Sequence, residues 1–198
     1  MTIPEQIRQV QRRLGLNEDG QAGPLTWGAI HRAICGVVDM PPKIEIKADE
    51  RSRKNIEGLQ PALQDIAVRF LQKCWDAGLG VKIICGLRTF EEQDALYAKG
   101  RTKPGNIVTN ARGGQSWHNY GLAFDIGIFE VGQYLGDSPQ YHAAGRIGLE
   151  LGLEWGGLWT SPVDEPHFQL RPRWAGAMPS AQVLAEAHRR MKAGEPVC

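Results

Sequence analysis

The segment Ser116–Asp125, which reads S-W-H-N-Y-G-L-A-F-D, constrains the fold of this chain more than any other. A polar, glycine-flanked stretch around His118 predicts a loop. The apolar run from Leu122 to Ile128 that follows has the length and boundaries of a buried strand. Because side chains alternate along a strand, Asp125 shares one face with small residues, and the large apolar side chains form a packing face on the other. A carboxylate there is costly unless it is paired or binds a metal. The sequence therefore predicts room for a metal beside Asp125.

The segment D-E-P-H, Asp164 to His167, supplies the groups that would complete such a site. Two imidazoles and one carboxylate around Zn²⁺ leave a coordination position for water, which distinguishes a catalytic zinc site from a structural one. A spare carboxylate can then accept a proton from the water. Both Asp164 and Glu165 are available for that role. The residues predict zinc on His118, Asp125 and His167 and hydrolytic chemistry.

Two other interpretations of these residues stay open. A ligand set of two histidines and one carboxylate also suits a non-haem iron oxygenase. The chain has no close His-x-Asp pair, however, and the spare acid beside His167 favours hydrolysis. A lone buried histidine is also commonly a hydrogen-bonded core residue, and an aspartate in an apolar strand commonly meets an arginine.

The pattern S-x-H-x-x-G-x-A-x-D followed by acid-x-x-His resembles the signature of the M15 (VanY/VanX-like) zinc peptidases, which include D,D-carboxypeptidases and L-alanyl-D-glutamate endopeptidases. The run from Gly86 to Thr102, G-L-R-T-F-E-E-Q-D-A-L-Y-A-K-G-R-T, resembles the branch found in phage endolysins, as do P-G-N-I-V-T-N-A and G-G-Q-S-W-H-N-Y-G. The resemblance covers most of residues 50 to 175.

This resemblance implies zinc on His118, Asp125 and His167, with Asp164 as general base. It also implies that Arg88 and Ser116 hold the substrate, since a forked, permanently charged guanidinium suits a carbonyl or carboxylate oxygen. Relatives of the carboxypeptidase type carry Glu where this chain has Asp164. A share of the base role for Glu165 therefore stays open.

The function implied by the resemblance is cleavage of the L-alanyl-D-glutamate bond in peptidoglycan stem peptides by a bacteriolytic phage endolysin. One alternative is a D-alanyl-D-alanine carboxypeptidase. Another is a zinc-containing binding module without catalysis, as in Hedgehog-type signalling domains. A base at Asp164 favours an enzyme.

The first forty residues predict a helical hairpin. The segment I-R-Q-V-Q-R-R-L-G-L, Ile7 to Leu16, has apolar residues at helical spacing, and the glycine-rich stretch from Asp19 leads into a second helix with Pro24 near its start. The pair resembles a peptidoglycan-binding module built on V-Q-x-x-L-G and D-G-x-x-G-P-x-T, although it is shorter than the usual three-helix form. A hairpin packed on the catalytic domain is the alternative.

The whole chain of 198 residues is predicted to be α+β: a small antiparallel sheet with helices packed around it, the zinc site at the sheet, and the N-terminal hairpin. The predicted division is 1–38 for the peptidoglycan-binding-like segment, 39–60 for a proline-marked, charged linker, and 61–198 for the catalytic domain. Predicted elements are helices over Pro61–Ala77, Phe90–Lys99, Ser138–Leu151 and Ser180–Lys192, a strand over Val81–Cys85, and an aromatic loop over Leu153–Trp159.

Charge and composition argue against two classes of partner, nucleic acids and membranes. A net charge of +1 gives no electrostatic footprint for nucleic acid, and no apolar run reaches the length of a membrane span. The cysteines at 35, 74, 85 and 198 are scattered and are expected to stay reduced. The N-terminus lacks a signal-peptide pattern, so we expect a monomer made in the cytoplasm of a bacterial host that acts on the cell wall after release.

Overall fold

The computed structural model describes residues 2–13, 18, 20–22, 30 and 48–198, in two compact units, Met1–Glu45 and Ile46–Cys198. In the first unit, helix α1 spans Ile3–Arg13. The buried carboxamide of Gln11 accepts from the Gly20 N–H (2.9 Å) and donates to the Gln21 carbonyl (3.0 Å), which holds the end of the helix to the following turn. The rest of the predicted hairpin, including the helix near Pro24, lies outside the described residues.

The second unit is an α+β fold, as predicted. Its elements in chain order are α2 Glu50–Glu57, α3 Pro61–Asp76, β1 Val81–Cys85, α4 Phe90–Ala98, a 3₁₀ helix Trp117–Tyr120, β2 Ala123–Glu130, β3 Gln133–Leu135, α5 Gln140–Glu150, β4 Glu154–Trp155, a 3₁₀ helix Gly156–Leu158, β5 His167–Gln169, a 3₁₀ helix Arg173–Ala175, and α6 Ser180–Ala193.

The sheet is antiparallel and has the order β1-β2-β5-β4, with β3 paired to β2. β2 lies at its centre, and its alternation of side chains decides the two faces. Phe124, Ile126 and Ile128 are fully buried on one face, as the sequence predicts, and Asp125 lies on the other.

The main core lies between the packing face of the sheet and helices α3 and α5. Three rings form its centre: Phe70 of α3 lies 5.5 Å from Phe124 and 4.9 Å from Phe168, measured between ring centroids. α5 approaches closely through Gly148, where a Cβ atom would lie 2.4 Å from the Phe168 ring. The core thereby fixes the two strands that carry Asp125 and His167.

A second apolar cluster lies beside the sheet and includes residues of the 3₁₀ helix Trp117–Tyr120 and of α6. Trp117, Tyr120 and Leu122 are buried there against Val183 and Ala187. The sequence predicts a loop at His118. The structure instead has a 3₁₀ turn, because the side chains on either side of His118 are anchored in this cluster.

Helix α2 falls within the range 39–60 for which the sequence predicts a linker. Its Asp49 side chain caps the first turn, and Ser52 and Ile56 are buried in the second unit. The division into 1–38, 39–60 and 61–198 stays a prediction. Among the helices of the described residues, none combines the length and the apolar composition of a membrane span.

Candidate metal centre and its cleft

The register of the sheet places Asp125 between two potential ligands. On β2, Asp125 is directly opposite His167 of β5 and opposite Cys85 of β1. Directly opposed side chains of an antiparallel pair lie on the same face and within reach of each other. Pairing across the sheet therefore brings together residues that are 40 positions or so apart in the sequence.

His118 reaches the same point from the 3₁₀ helix Trp117–Tyr120. The turn ends at Gly121, whose φ of +65° is a left-handed conformation that other residues adopt at a cost, and the chain then enters β2. Asn119 ties the turn to the segment after β1, because its side-chain N–H donates to the carbonyls of Arg88 (2.9 Å) and Thr89 (3.2 Å).

Two imidazole nitrogens and one carboxylate oxygen converge. His118 Nε2 and His167 Nδ1 each lie 3.1 Å from Asp125 Oδ1, and 3.3 Å from each other. The outer nitrogens have acceptors as partners: His118 Nδ1 donates to the Gly86 carbonyl (2.8 Å), and His167 Nε2 donates to Gln169 Oε1 (3.0 Å). In neutral imidazoles, a proton on the outer nitrogen leaves a lone pair on the inner one.

The three inner atoms are thus all acceptors, and acceptors in contact need a shared cation. Both imidazoles are buried and the Asp125 side chain is 22% exposed, so water cannot fully solvate the cluster. The donor set suits Zn²⁺, which binds imidazole nitrogen and carboxylate oxygen. The hydrogen bonds behind the imidazoles are those that orient metal-ligating histidines. The residues therefore fit a zinc ion.

Without a metal, a proton takes the place of the cation. Burial opposes an ionised Asp125, but the two imidazoles, His118 above all, hold the pKa of this carboxyl below its usual range. Burial likewise opposes a charged His118, yet the Asp125 carboxylate raises the pKa of His118 to about 10. The three convergent atoms therefore favour a cation between them, either a proton or a metal ion.

Cys85 offers a second grouping with His118 and Asp125, whose potential ligand atoms all lie within 4.8 Å of one another. Its Sγ lies 3.9 Å from His118 Nδ1, the outer nitrogen that is bonded to the Gly86 carbonyl. It also accepts a hydrogen bond from Arg88 Nη2 at 3.1 Å. Cys85 therefore lies behind the imidazole, and His118 Nε2, Asp125 and His167 form the tighter set.

The residues predicted from the sequence all line one cavity of about 570 Å³: Arg88, Ser116, His118, Asp125, Asp164 and His167. Arg88 Nη2 lies 3.7 Å from Asp125 Oδ2. Burial, and then the charge of Asp125, raise the pKa of Asp164. Asp164 is therefore a half-buried acid in the cleft: burial and Asp125 favour its protonated form, and His167, His118 and Arg88 oppose them only in part.

Backbone contacts aim Asp164 into the cleft. Its N–H donates to the Gly156 carbonyl (3.0 Å) and its carbonyl accepts from the His167 N–H (3.1 Å). A Cβ atom at Gly156 would lie 2.4 Å from the Asp164 carbonyl oxygen, so this approach requires glycine. The carboxylate of Glu165 is 3.0 Å from His142 Nε2, and Glu165 does not line the cavity.

Sequence reasoning missed several residues around the site. Gln169 and Cys85 contact the imidazoles from behind, and Trp159 lies with its ring 5.0 Å from that of His167. The predicted aromatic loop is in fact β4 and a 3₁₀ helix, with Trp155 buried in the core and Trp159 at the cleft. For Gln169, the signal was available: it lies two residues from His167 on one strand and therefore on the same face.

Comparison with known proteins agrees with this geometry. A family model described as D-alanyl-D-alanine carboxypeptidase, of the M15 peptidases, matches residues 109–170, which include the three convergent residues and Asp164. The peptidoglycan L-alanyl-D-glutamate endopeptidase CwlK of Bacillus subtilis (strain 168) is 40% identical over 125 residues, which are 58% of this chain and 74% of that protein. The crystal structure of the L-Ala D-Glu endopeptidase ChiX of Serratia marcescens is 26% identical with a TM-score of 0.50, covering 69% of this chain and 98% of that one.

Proposed function

The chain belongs to the M15 family of peptidases, and on this premise we propose that it is a zinc-dependent endopeptidase that cleaves the L-alanyl-D-glutamate bond of peptidoglycan stem peptides. Both relatives are described as endopeptidases for that bond, and the chain spans most of the length of each. The observation that carries the proposal is the convergence of three acceptor atoms on one point of a cleft that also contains Asp164.

His118, Asp125 and His167 would hold the zinc through their inner atoms. A bound zinc ion supplies a Lewis acid for the scissile carbonyl and lowers the pKa of a water molecule. The Gly86 carbonyl and Gln169 would fix the orientation of the two imidazoles and the nitrogen of each that faces the zinc.

Asp164 would be the general base. As a carboxylate it takes a proton from the attacking water, and as an acid it gives that proton to the leaving amine. Its raised pKa supports this cycle, because a base that is easily protonated is a better acceptor and the resulting acid remains available. The pairing of Glu165 with His142 supports Asp164 over Glu165 for this role.

Arg88 and Ser116 would bind the substrate. The Arg88 side chain is 17% exposed in the cleft, where a partly desolvated guanidinium stabilises negative charge on a carbonyl or carboxylate oxygen more strongly than it would in water. Ser116 lines the same cavity and offers a hydroxyl group.

Mass spectrometry of peptidoglycan sacculi digested with the purified protein tests the proposal. New D-glutamate amino termini are expected. Release of free D-alanine would instead support a D-alanyl-D-alanine carboxypeptidase, which is the description of the matching family model. An unchanged digest from zinc-loaded protein would support a binding module and would refute the enzyme.

The cellular role we propose is that of a phage endolysin: a bacteriolytic monomer made in the host cytoplasm, which degrades the wall after release. Residues 1–38 would increase its affinity for the wall. Deletion of these residues should reduce sedimentation with sacculi and spare cleavage of a soluble stem peptide. Equal sedimentation of both proteins would refute the targeting role.

A further inference from the structure

Gln93 is a fully buried polar side chain next to the cleft that does not line it. It lies in the first turn of α4. Its Oε1 accepts a hydrogen bond from Arg88 Nη1 at 2.8 Å. Its Nε2 donates to the Ala111 carbonyl at 2.8 Å and to Thr109 Oγ1 at 3.3 Å. One buried amide thus joins the guanidinium to the segment 107–111, which lines the cavity.

The orientation of this amide is fixed by its partners. A guanidinium can only donate, so it requires the oxygen of Gln93, and a backbone carbonyl can only accept, so it requires the nitrogen. Since a buried polar group is costly unless it is paired, rotation of the amide by half a turn would break both contacts at once. Arg88 and Ala111 therefore hold each other in place through Gln93.

Gln93 and Cys85 together restrain the guanidinium. Nη1 of Arg88 is held by Gln93, and Nη2 donates to Cys85 Sγ at 3.1 Å while lying 3.7 Å from Asp125 Oδ2. A guanidinium has a planar fork, so two contacts on its two ends fix its plane. We infer that Gln93 is a positioning residue that sets the Arg88 guanidinium and the cleft wall 107–111 in a fixed relation; this rests on the proposed role of Arg88 in binding substrate.

Other contacts restrain each of these segments independently of Gln93. α4 begins with a capping box between Thr89 and Glu92, in which Glu92 N donates to Thr89 Oγ1 and Thr89 N donates to Glu92 Oε2. The wall is also tied down by Arg101, which donates to the Thr109 carbonyl (3.0 Å) and to Asn110 Oδ1 (2.8 Å). Loss of the Gln93 amide should therefore loosen the relation between Arg88 and the wall in a protein that still folds.

The test is Gln93→Met, which keeps the length of the side chain and removes its hydrogen bonds. We expect kcat on a soluble L-alanyl-D-glutamyl stem peptide to fall by about 10- to 100-fold, as for a misplaced catalytic-site group, with unchanged zinc content. Gln64→Met is the matched control. It removes amide bonds to the Glu57 and Leu59 carbonyls, away from the cleft, and should leave kcat within about two-fold.

Two further variants separate positioning from general destabilisation. Gln93→Glu keeps an acceptor for Arg88 but cannot donate to the Ala111 carbonyl, so KM should rise more than kcat falls. In an Arg88→Ala background, Gln93→Met should change kcat by less than about two-fold, because residues that act as a unit are not additive. The inference would be overturned if Gln93→Met lowered kcat by the same factor in the Arg88→Ala background as in the wild type, or if Gln93→Met alone kept the wild-type kcat. Absence of cleavage by the wild-type protein would instead refute the proposed function.

Discussion

Replacement of Gln169 by Met should weaken zinc binding without any change in the ligands themselves. Gln169 is 2% exposed, and its Oε1 accepts the Nε2–H of His167 at 3.0 Å. Its own amide nitrogen donates to Glu154 Oε2 at 2.6 Å, which fixes the oxygen toward His167. The side chain thus keeps the proton of His167 on the outer nitrogen and the lone pair on the inner one.

The size of the effect follows from the two states of His167. In the metal-free variant, the imidazole can carry its proton on Nδ1 and donate to Asp125 Oδ1, 3.1 Å away. In the zinc-bound variant, Nδ1 is a ligand, and the buried Nε2–H has lost its acceptor. An unpaired buried donor costs about 1–3 kcal/mol. That range includes the 10- to 100-fold loss of affinity that is typical when a partner behind a metal-ligating histidine is removed.

Competition with a fluorescent zinc chelator measures the dissociation constant directly. Gln169→Met should release zinc at about 10- to 100-fold lower chelator concentration than the wild type. Gln64→Met, whose amide bonds lie away from the centre, should match the wild type. A wild-type dissociation constant for Gln169→Met, in protein with a normal thermal transition, would show that zinc does not bind through His167 Nδ1 and would refute the reasoning.

Four other predictions concern the base, the thiol, the proton and the core. Asp164→Asn should retain zinc but lose about 10²- to 10⁴-fold in kcat, and retained turnover would assign the base elsewhere. Because burial and Asp125 raise the pKa of Asp164, the activity of the wild-type protein should decline as the pH falls through that raised pKa. Cys85→Ser should leave zinc affinity within about three-fold of wild type if His118, Asp125 and His167 hold the ion, because removal of a thiolate ligand would weaken binding far more. A large loss of affinity would favour the grouping of Cys85 with His118 and Asp125. Zinc uptake near pH 8 should release a proton, because the pKa of metal-free His118 is raised to about 10 and a metal ligand must be neutral; heats of binding that do not depend on the ionisation enthalpy of the buffer would contradict the His118–Asp125 pair. The same pair should stabilise the metal-free fold fully below about pH 6.5, and metal-free melting curves should show this stabilisation disappearing as the pH rises through about 10. Gly148→Ala should lower the melting temperature, because a Cβ atom 2.4 Å from the Phe168 ring costs about 1–3 kcal/mol in overpacking, against about 1 kcal/mol gained in helix propensity; a stabilised variant would show that α5 can shift freely.

Local patterns in the sequence determined the elements of this protein. The alternation in Leu122–Ile128 predicts a packing face of large residues with Asp125 on the opposite face, and a strand has no other way to arrange them. Helical spacing and Pro61 predict a helix over Pro61–Ala77, and the observed helix is Pro61–Asp76. The sequence also predicts which side chains could form a metal centre, because a histidine or carboxylate in an apolar setting is costly unless it is paired or binds a metal.

Only the tertiary structure decided how these groups meet. His167 lies opposite Asp125 because of the register between β2 and β5, which are separated in the chain by β3, α5 and β4. A shift of this register by one residue would have turned His167 to the other face of the sheet. The pairing of Glu165 with His142, the nitrogen that each imidazole turns inward, and the contacts of Cys85, Gln93 and Gln169 all depend on long-range packing and hydrogen bonds. The physical reason is that a sequence fixes local periodicity and chemistry, whereas distances between remote side chains follow from how the sheet is paired and which faces the core covers.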